Sequence, residues 1–142
     1  PYRSSVSDRK RGMIDAAIAA GIPYVVHEFP DCPDHERTTV RQFIQLYTEV
    51  DGVFTGTDLF AAHLIEELSA IGKQVPQDIQ VVGFDGIQNT SLFKPYLSTI
   101  VQPLEAISRE SVKLLLCLIQ GEEVPMETIL EVSYRKGTTS YC

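Results

Sequence analysis

The chain has 142 residues, 44% of them hydrophobic, and a formal net charge of −7 at pH 7. That length and apolar content suit one ordinary core, so one compact domain or one lobe of a larger protein is expected, and the acidic balance argues against this stretch gripping a phosphate backbone, which needs a basic surface. No run of about 18 apolar residues offers a membrane span, and Pro1-Tyr2-Arg3-Ser4 lacks the apolar core of an export signal.

From the N-terminus, Met13, Ile14, Ala17 and Ile18 recur at helical spacing and stop at Gly21, a residue suited to closing a helix. The short basic run Arg9-Lys10-Arg11 falls on the first turns and reads as a solvated helix face rather than a nucleic-acid tract. Pro23-Tyr24-Val25-Val26-His27 predicts a strand. A loop with two prolines and acidic neighbours follows. His27, Cys32 and His35 are metal-ligand types there, but their spacing matches no compact zinc site, so no metal is expected. A second helix runs from about Thr38 on Phe43, Ile44, Leu46 and Tyr47, and Val53-Phe54-Thr55 is the second strand.

The third helix is capped by Thr57 or Asp58, carries Phe60, Leu64, Leu68 and Ile71 on one face, and ends at Gly72. Residues 79–83 form the next strand and run into Phe84-Asp85-Gly86. Residues 97–101 are extended, and Pro103 at the first helical position with Gly121 past the end brackets a helix whose apolar residues nearly encircle it. Residues 131–134 give the last strand. Strands alternating with helices across short loops call for an α/β fold, a mostly parallel sheet flanked by helices on both faces.

Chemistry is sparse. There is no G-x-S-x-G elbow, P-loop or G-x-G-x-x-G, and Cys32 beside His35 lacks a third orienting group, so neither an enzyme nor a cofactor is expected. Cys32, Cys117 and Cys142 are odd in number and far apart, which suits a reduced, cytoplasmic protein. Asp85 stands out because it ends a strand of β-branched residues, the place where open parallel sheets bind ligands. An Asp-Gly turn that only holds its own backbone is the plainer reading of the same residues.

The string VFTGTDLFAAHLIEELSAIGKQVPQDIQVVGFDG, followed by YLSTIVQP, closely resembles the effector-binding domain of the LacI/GalR family of bacterial transcription repressors. The resemblance is strongest over residues 51–120, reaches back to the Arg9-Lys10-Arg11-Gly12-Met13 helix start and forward to Ser133-Tyr134-Arg135-Lys136-Gly137-Thr138-Thr139. It implies an incomplete type I periplasmic-binding-protein-like fold. Residues 1–101 would be the C-terminal lobe, 102–122 a hinge crossover and helix belonging to a first lobe not contained here, and 123–142 a C-terminal strand and tail. Helix 103–120 is then expected either to fold onto this lobe or to pack between chains.

By the same resemblance Arg9 and Asp85 would hydrogen-bond a ligand, Thr57 would either contact it or cap its helix, and Phe84 would stack on a sugar face or sit in the core. Asp58 would be structural. The loop carrying Asp31 and His35 would border the cleft. Many relatives carry a second polar residue where this chain has Gly86. A homodimer face would include Ala62, Ile65, Leu92 and Phe93. The implied function is sensing a small-molecule effector, a sugar or sugar phosphate, with lobe closure controlling operator DNA through a headpiece outside this sequence. A periplasmic or surface sugar receptor, and a regulator whose corepressor is a phosphocarrier protein, are the alternatives.

Overall fold

The computed structural model describes residues 5–28, 36–87 and 95–141. In chain order these form α1 (Ser5–Ala19), α2 (Glu36–Leu46), β1 (Gly52–Phe54), α3 (Asp58–Ala70), β2 (Gln80–Asp85), β3 (Ser98–Val101), α4 (Leu104–Ile119) and β4 (Ser133–Arg135). The four strands lie in the order β1-β2-β3-β4, with β1, β2 and β3 parallel and β4 antiparallel at the edge.

Three helices stop where the glycines stand. After α1, α3 and α4, Gly21, Gly72 and Gly121 take φ of 66°, 80° and 79°. The next amide in each case bonds back into the last turn: Ile22 N to Ala17 O at 2.9 Å, Lys73 N to Leu68 O at 3.0 Å and Glu122 N to Cys117 O at 2.9 Å. That pattern satisfies carbonyls the helix would otherwise leave bare. The core lies between α2, α3 and the sheet, where Val40, Phe43, Ala61, Leu64, Leu68, Ile79, Val81 and Leu97 are buried together. Arg41 on α2 grips the buried Glu67 of α3 with two hydrogen bonds of 2.6 and 3.2 Å, and this contact raises the Arg41 pKa further.

Four expectations need correction. Residues 22–28 join no strand; Ile22, Val25 and Val26 stay 59%, 54% and 45% exposed, because β propensity becomes a strand only with a neighbouring ladder. His27 instead rests edge-on against Phe43 and Tyr47. Pro103 precedes the helix as its N-cap, since its carbonyl accepts the first helical bond, from Ile107 N at 2.9 Å. The last strand sits at Ser133–Arg135 rather than 131–134, in the register that pairs Val101 with Ser133.

Of the two places expected for α4, the one against this lobe is not taken. The helix has no buried residue, and Leu104, Val112, Leu115, Leu116, Leu118 and Ile119 are 52% to 72% exposed. A large aliphatic side chain gains about 1.5–3 kcal/mol on full burial, so most of that gain is unrealised here, and the expected helical cover of both sheet faces is incomplete among the described residues.

The C-terminal tail closes the opposite ends of the strands. Thr139 is fully buried. Its hydroxyl donates to Val81 O at 2.6 Å and accepts from Ser98 N at 2.8 Å, while Val81 N donates to its carbonyl at 2.8 Å. Gly137 passes so close to the backbone of residues 96–98 that a side chain there would overlap the Tyr96 carbonyl oxygen.

Candidate functional site

The C-terminal end of β2 is shaped by what surrounds Gly83. An added Cβ at Gly83 would overlap the Asp58 carboxylate and come within 2.9 Å of Leu97, so glycine is what lets that carboxylate lie under the strand. Asp58 is the first residue of α3 and fully buried. One of its oxygens accepts from Ile87 N at 2.7 Å and the other from the Thr99 hydroxyl. Directly above, Asp85 has φ of 120°, a conformation few residues other than glycine adopt. Gly86 follows at φ 75° and packs on Val101, where a Cβ would lie 2.7 Å from Val101 Cα.

Arg9 reaches this end from α1. Its Nη1 donates to Gly56 O at 2.7 Å and lies 3.3 Å from Asp85 Oδ1, with side chains 17% and 25% exposed. Its Cζ stands 4.0 Å from the centroid of the Phe84 ring, a cation–π contact, and Phe84 in turn meets Phe54 edge to face at 6.4 Å. Gln102, just past β3, donates from Nε2 to Asp85 Oδ1 at 2.8 Å, and its amide donates to Asp85 O at 3.3 Å.

The structure thus brings together three of the four residues singled out for ligand contact. Arg9, Phe84 and Asp85 share one end of the sheet. The hydroxyl of Thr57 accepts from Phe60 N at 3.2 Å and so caps α3, the second of the two roles weighed for it. Arg9 covers one face of Phe84. Asp58 is indeed held within the fold. Among the intended dimer residues Ala62 and Ile65 are half-buried, Ile65 against the core. Leu92 and Phe93 lie outside the described residues, as do Asp31, Cys32, His35 and Cys142.

Two participants were not foreseen. Gln102 falls in the stretch that the resemblance assigns to the hinge crossover, yet the parallel register that sets Asp85 beside Val101 places the next residue within reach of the carboxylate. The Gly56 carbonyl carries no sequence signal at all.

Chemically the site offers a planar fork of N–H donors, a carboxylate whose Oδ2 meets no donor among the described residues, a primary amide and an aromatic ring. Cation and anion sit side by side, so the local charge is balanced. Such a set matches a small ligand carrying several hydroxyls, each both donor and acceptor. Among the described residues no three His, Cys, Asp or Glu side chains gather as a metal site. The Cys117 thiol on α4 has a raised pKa, first through a hydrogen bond to Glu122 and then through burial, which works against thiolate chemistry.

Known proteins resemble the chain over most of its length. The model of the periplasmic binding protein-like domain matches residues 2–139. The ribose operon repressor of Bacillus subtilis is 32% identical over 138 residues, 94% of this chain. The chain spans 42% of that repressor's length. Among solved structures, a complex of the transcriptional regulator CelR with cellobiose superposes with a TM-score of 0.84 at 29% identity, covering 93% of this chain and 42% of that one. A LacI family transcriptional regulator from Enterococcus faecium with bound ribose gives a TM-score of 0.81 at 29% identity, covering 95% of this chain and 51% of that one.

Proposed function

Because this chain belongs to the periplasmic binding protein-like domain family, we propose that it is the C-terminal lobe of the effector-binding domain of a LacI-type transcription regulator, and that its ligand is a sugar. The observation that carries the reading is the Arg9–Asp85 pair, 3.3 Å apart at the strand end and flanked by Gln102 and Phe84. A sugar's vicinal hydroxyls can accept from the guanidinium and donate to the carboxylate together. Similar solved structures are complexes with cellobiose, D-xylulofuranose, lactose and ribose, which favours a sugar over a sugar phosphate.

In this reading α4, whose apolar face is exposed, belongs against a first lobe, residues 102–122 cross the hinge, and residues 123–142 return to the C-terminal lobe. Effector binding acts on operator DNA by favouring one lobe arrangement, since a ligand with equal affinity for both would shift nothing. DNA contact is made by a headpiece outside these 142 residues, in a cytoplasmic homodimer that uses Ala62, Ile65, Leu92 and Phe93. The test is titration of operator DNA bound by the whole regulator with ribose, xylulose, lactose, cellobiose and ribose 5-phosphate. A neutral sugar is expected to change operator affinity, and Arg9→Ala to move the response to roughly 10- to 100-fold higher sugar; indifference to every one of these sugars would overturn the assignment.

A further inference from the structure

The turn that follows Asp85 is held from two sides. Below it, the buried Asp58 carboxylate takes the N–H of Ile87 at 2.7 Å. From β4, Arg135 donates to the carbonyls of Gly86 at 3.4 Å and Ile87 at 3.2 Å. Between these clamps and the β2–β3 ladder, Asp85 keeps a φ of 120°. A backbone in so sparsely populated a region persists only where its surroundings over-determine it. The conformation decides function, because rotating residue 85 out of it swings its carboxylate away from Arg9 and Gln102.

We propose that Asp58 is a positioning residue for the ligand site: by capturing the Ile87 amide it holds the Asp85-Gly86 turn in the strained state that points the Asp85 carboxylate at Arg9. Plain structural service would end at the hydrogen bond from Thr99, which ties α3 to β3. The Ile87 bond runs elsewhere, to the backbone two residues beyond the functional carboxylate. This inference rests on the sugar-binding reading only in treating Asp85 as a ligand group.

The experiment therefore needs no ligand, and its failure is separable from failure of the sugar titration. Asp58→Ala is made in the native chain and in an Asp85→Gly background, where glycine accepts φ of 120° without strain, and the shift of the urea midpoint is read in each. Thr99→Val serves as the control for the α3–β3 tie. The loss of midpoint caused by Asp58→Ala is expected to be larger in the glycine background, by up to about twofold, because in the native chain the released turn recovers the strain at residue 85, whereas that of Thr99→Val stays the same in both. If Asp58→Ala does not fold, Asp58→Asn, which keeps one acceptor oxygen, goes through the same cycle. A second readout is the side-chain NH resonance of Arg9, assigned through Arg9→Lys, which the Phe84 ring 4.0 Å away and Asp85 should displace. It should move toward the free-arginine position in the Asp58 variant and stay in place in Thr99→Val. Equal midpoint losses in both backgrounds, or an unmoved Arg9 signal in the Asp58 variant, would overturn the proposal.

Discussion

At their N-terminal ends β2 and β3 are joined by the buried Thr139, whose hydroxyl and carbonyl serve Val81 and Ser98. At their C-terminal ends the same two strands present a charged pair, a carboxylate at φ 120° and an aromatic ring under a guanidinium. Ser98 adds to the closed end, where its hydroxyl accepts from Gly137 N at 3.0 Å and from Ser140 at 2.8 Å. One end closes its hydroxyls and amides on one another and the other keeps donors and acceptors in reserve. The contrast teaches that in this sheet the stabilising contacts and the proposed recognition site are separated along the strand axis, over a distance of only four to six residues.

The separation is breakable by substitution. The largest effect is expected from Thr139→Val, which leaves the Val81 carbonyl and the Ser98 amide in buried surroundings without their partner, at about 1–3 kcal/mol for each group. The urea midpoint should fall accordingly while the Arg9 side-chain NH resonance stays in place; a shifted Arg9 signal would mean that the two ends are coupled. Arg9→Ala should do the reverse. Loss of a charge-assisted hydrogen bond, worth about 1.5–3 kcal/mol, weakens sugar binding roughly 10- to 100-fold in calorimetry, with a smaller change in unfolding midpoint, because partly exposed ion pairs contribute about 0–1 kcal/mol.

Phe84→Leu keeps an apolar side chain and removes only the ring beneath the guanidinium. With a cation–π contact worth about 0.5–1 kcal/mol at such a site, the same titration should show a loss of about 2- to 5-fold. The smallest effect belongs to a pair at neither end. Lys10 lowers the Glu28 pKa through a hydrogen bond and then through charge. A depressed carboxylate stabilises above its unfolded pKa and loses that contribution as pH falls through its folded one. Both side chains are exposed, so Lys10→Ala should return the Glu28 carboxyl titration, followed by NMR, toward the ordinary value without a detectable change in the urea midpoint.

Much of the stable scaffold was legible because it obeys local rules. Gly21, Gly72 and Gly121 stop three helices, Thr57 caps the start of the second of these, and Phe43, Leu64 and Leu68 fall on helical faces that the core uses. Asp85 was legible for a different reason, the coincidence of a buried strand with a charged end. What escaped was long-range. Thr139 reads as one more polar residue in a tail, and its bond partner Val81 lies 58 positions away. The Asp58 bond to Ile87 spans 29 positions and that of Gln102 to Asp85 spans 17. Residues 23–27 misled because β-branched composition reports a preference for a ladder and says nothing of whether a neighbour is there to supply one.

The positive φ at Asp85 also limits how this site can change over generations. Only glycine takes that backbone without strain, and Asp85 keeps it because its surroundings over-determine it. Valine, isoleucine or threonine at 85 would have to rebuild the turn before presenting any new group. The repertoire of ligands reachable by a single replacement at this position is therefore narrow, and a switch in selectivity is more easily made at Phe84 or Gln102, where the main chain imposes no such filter.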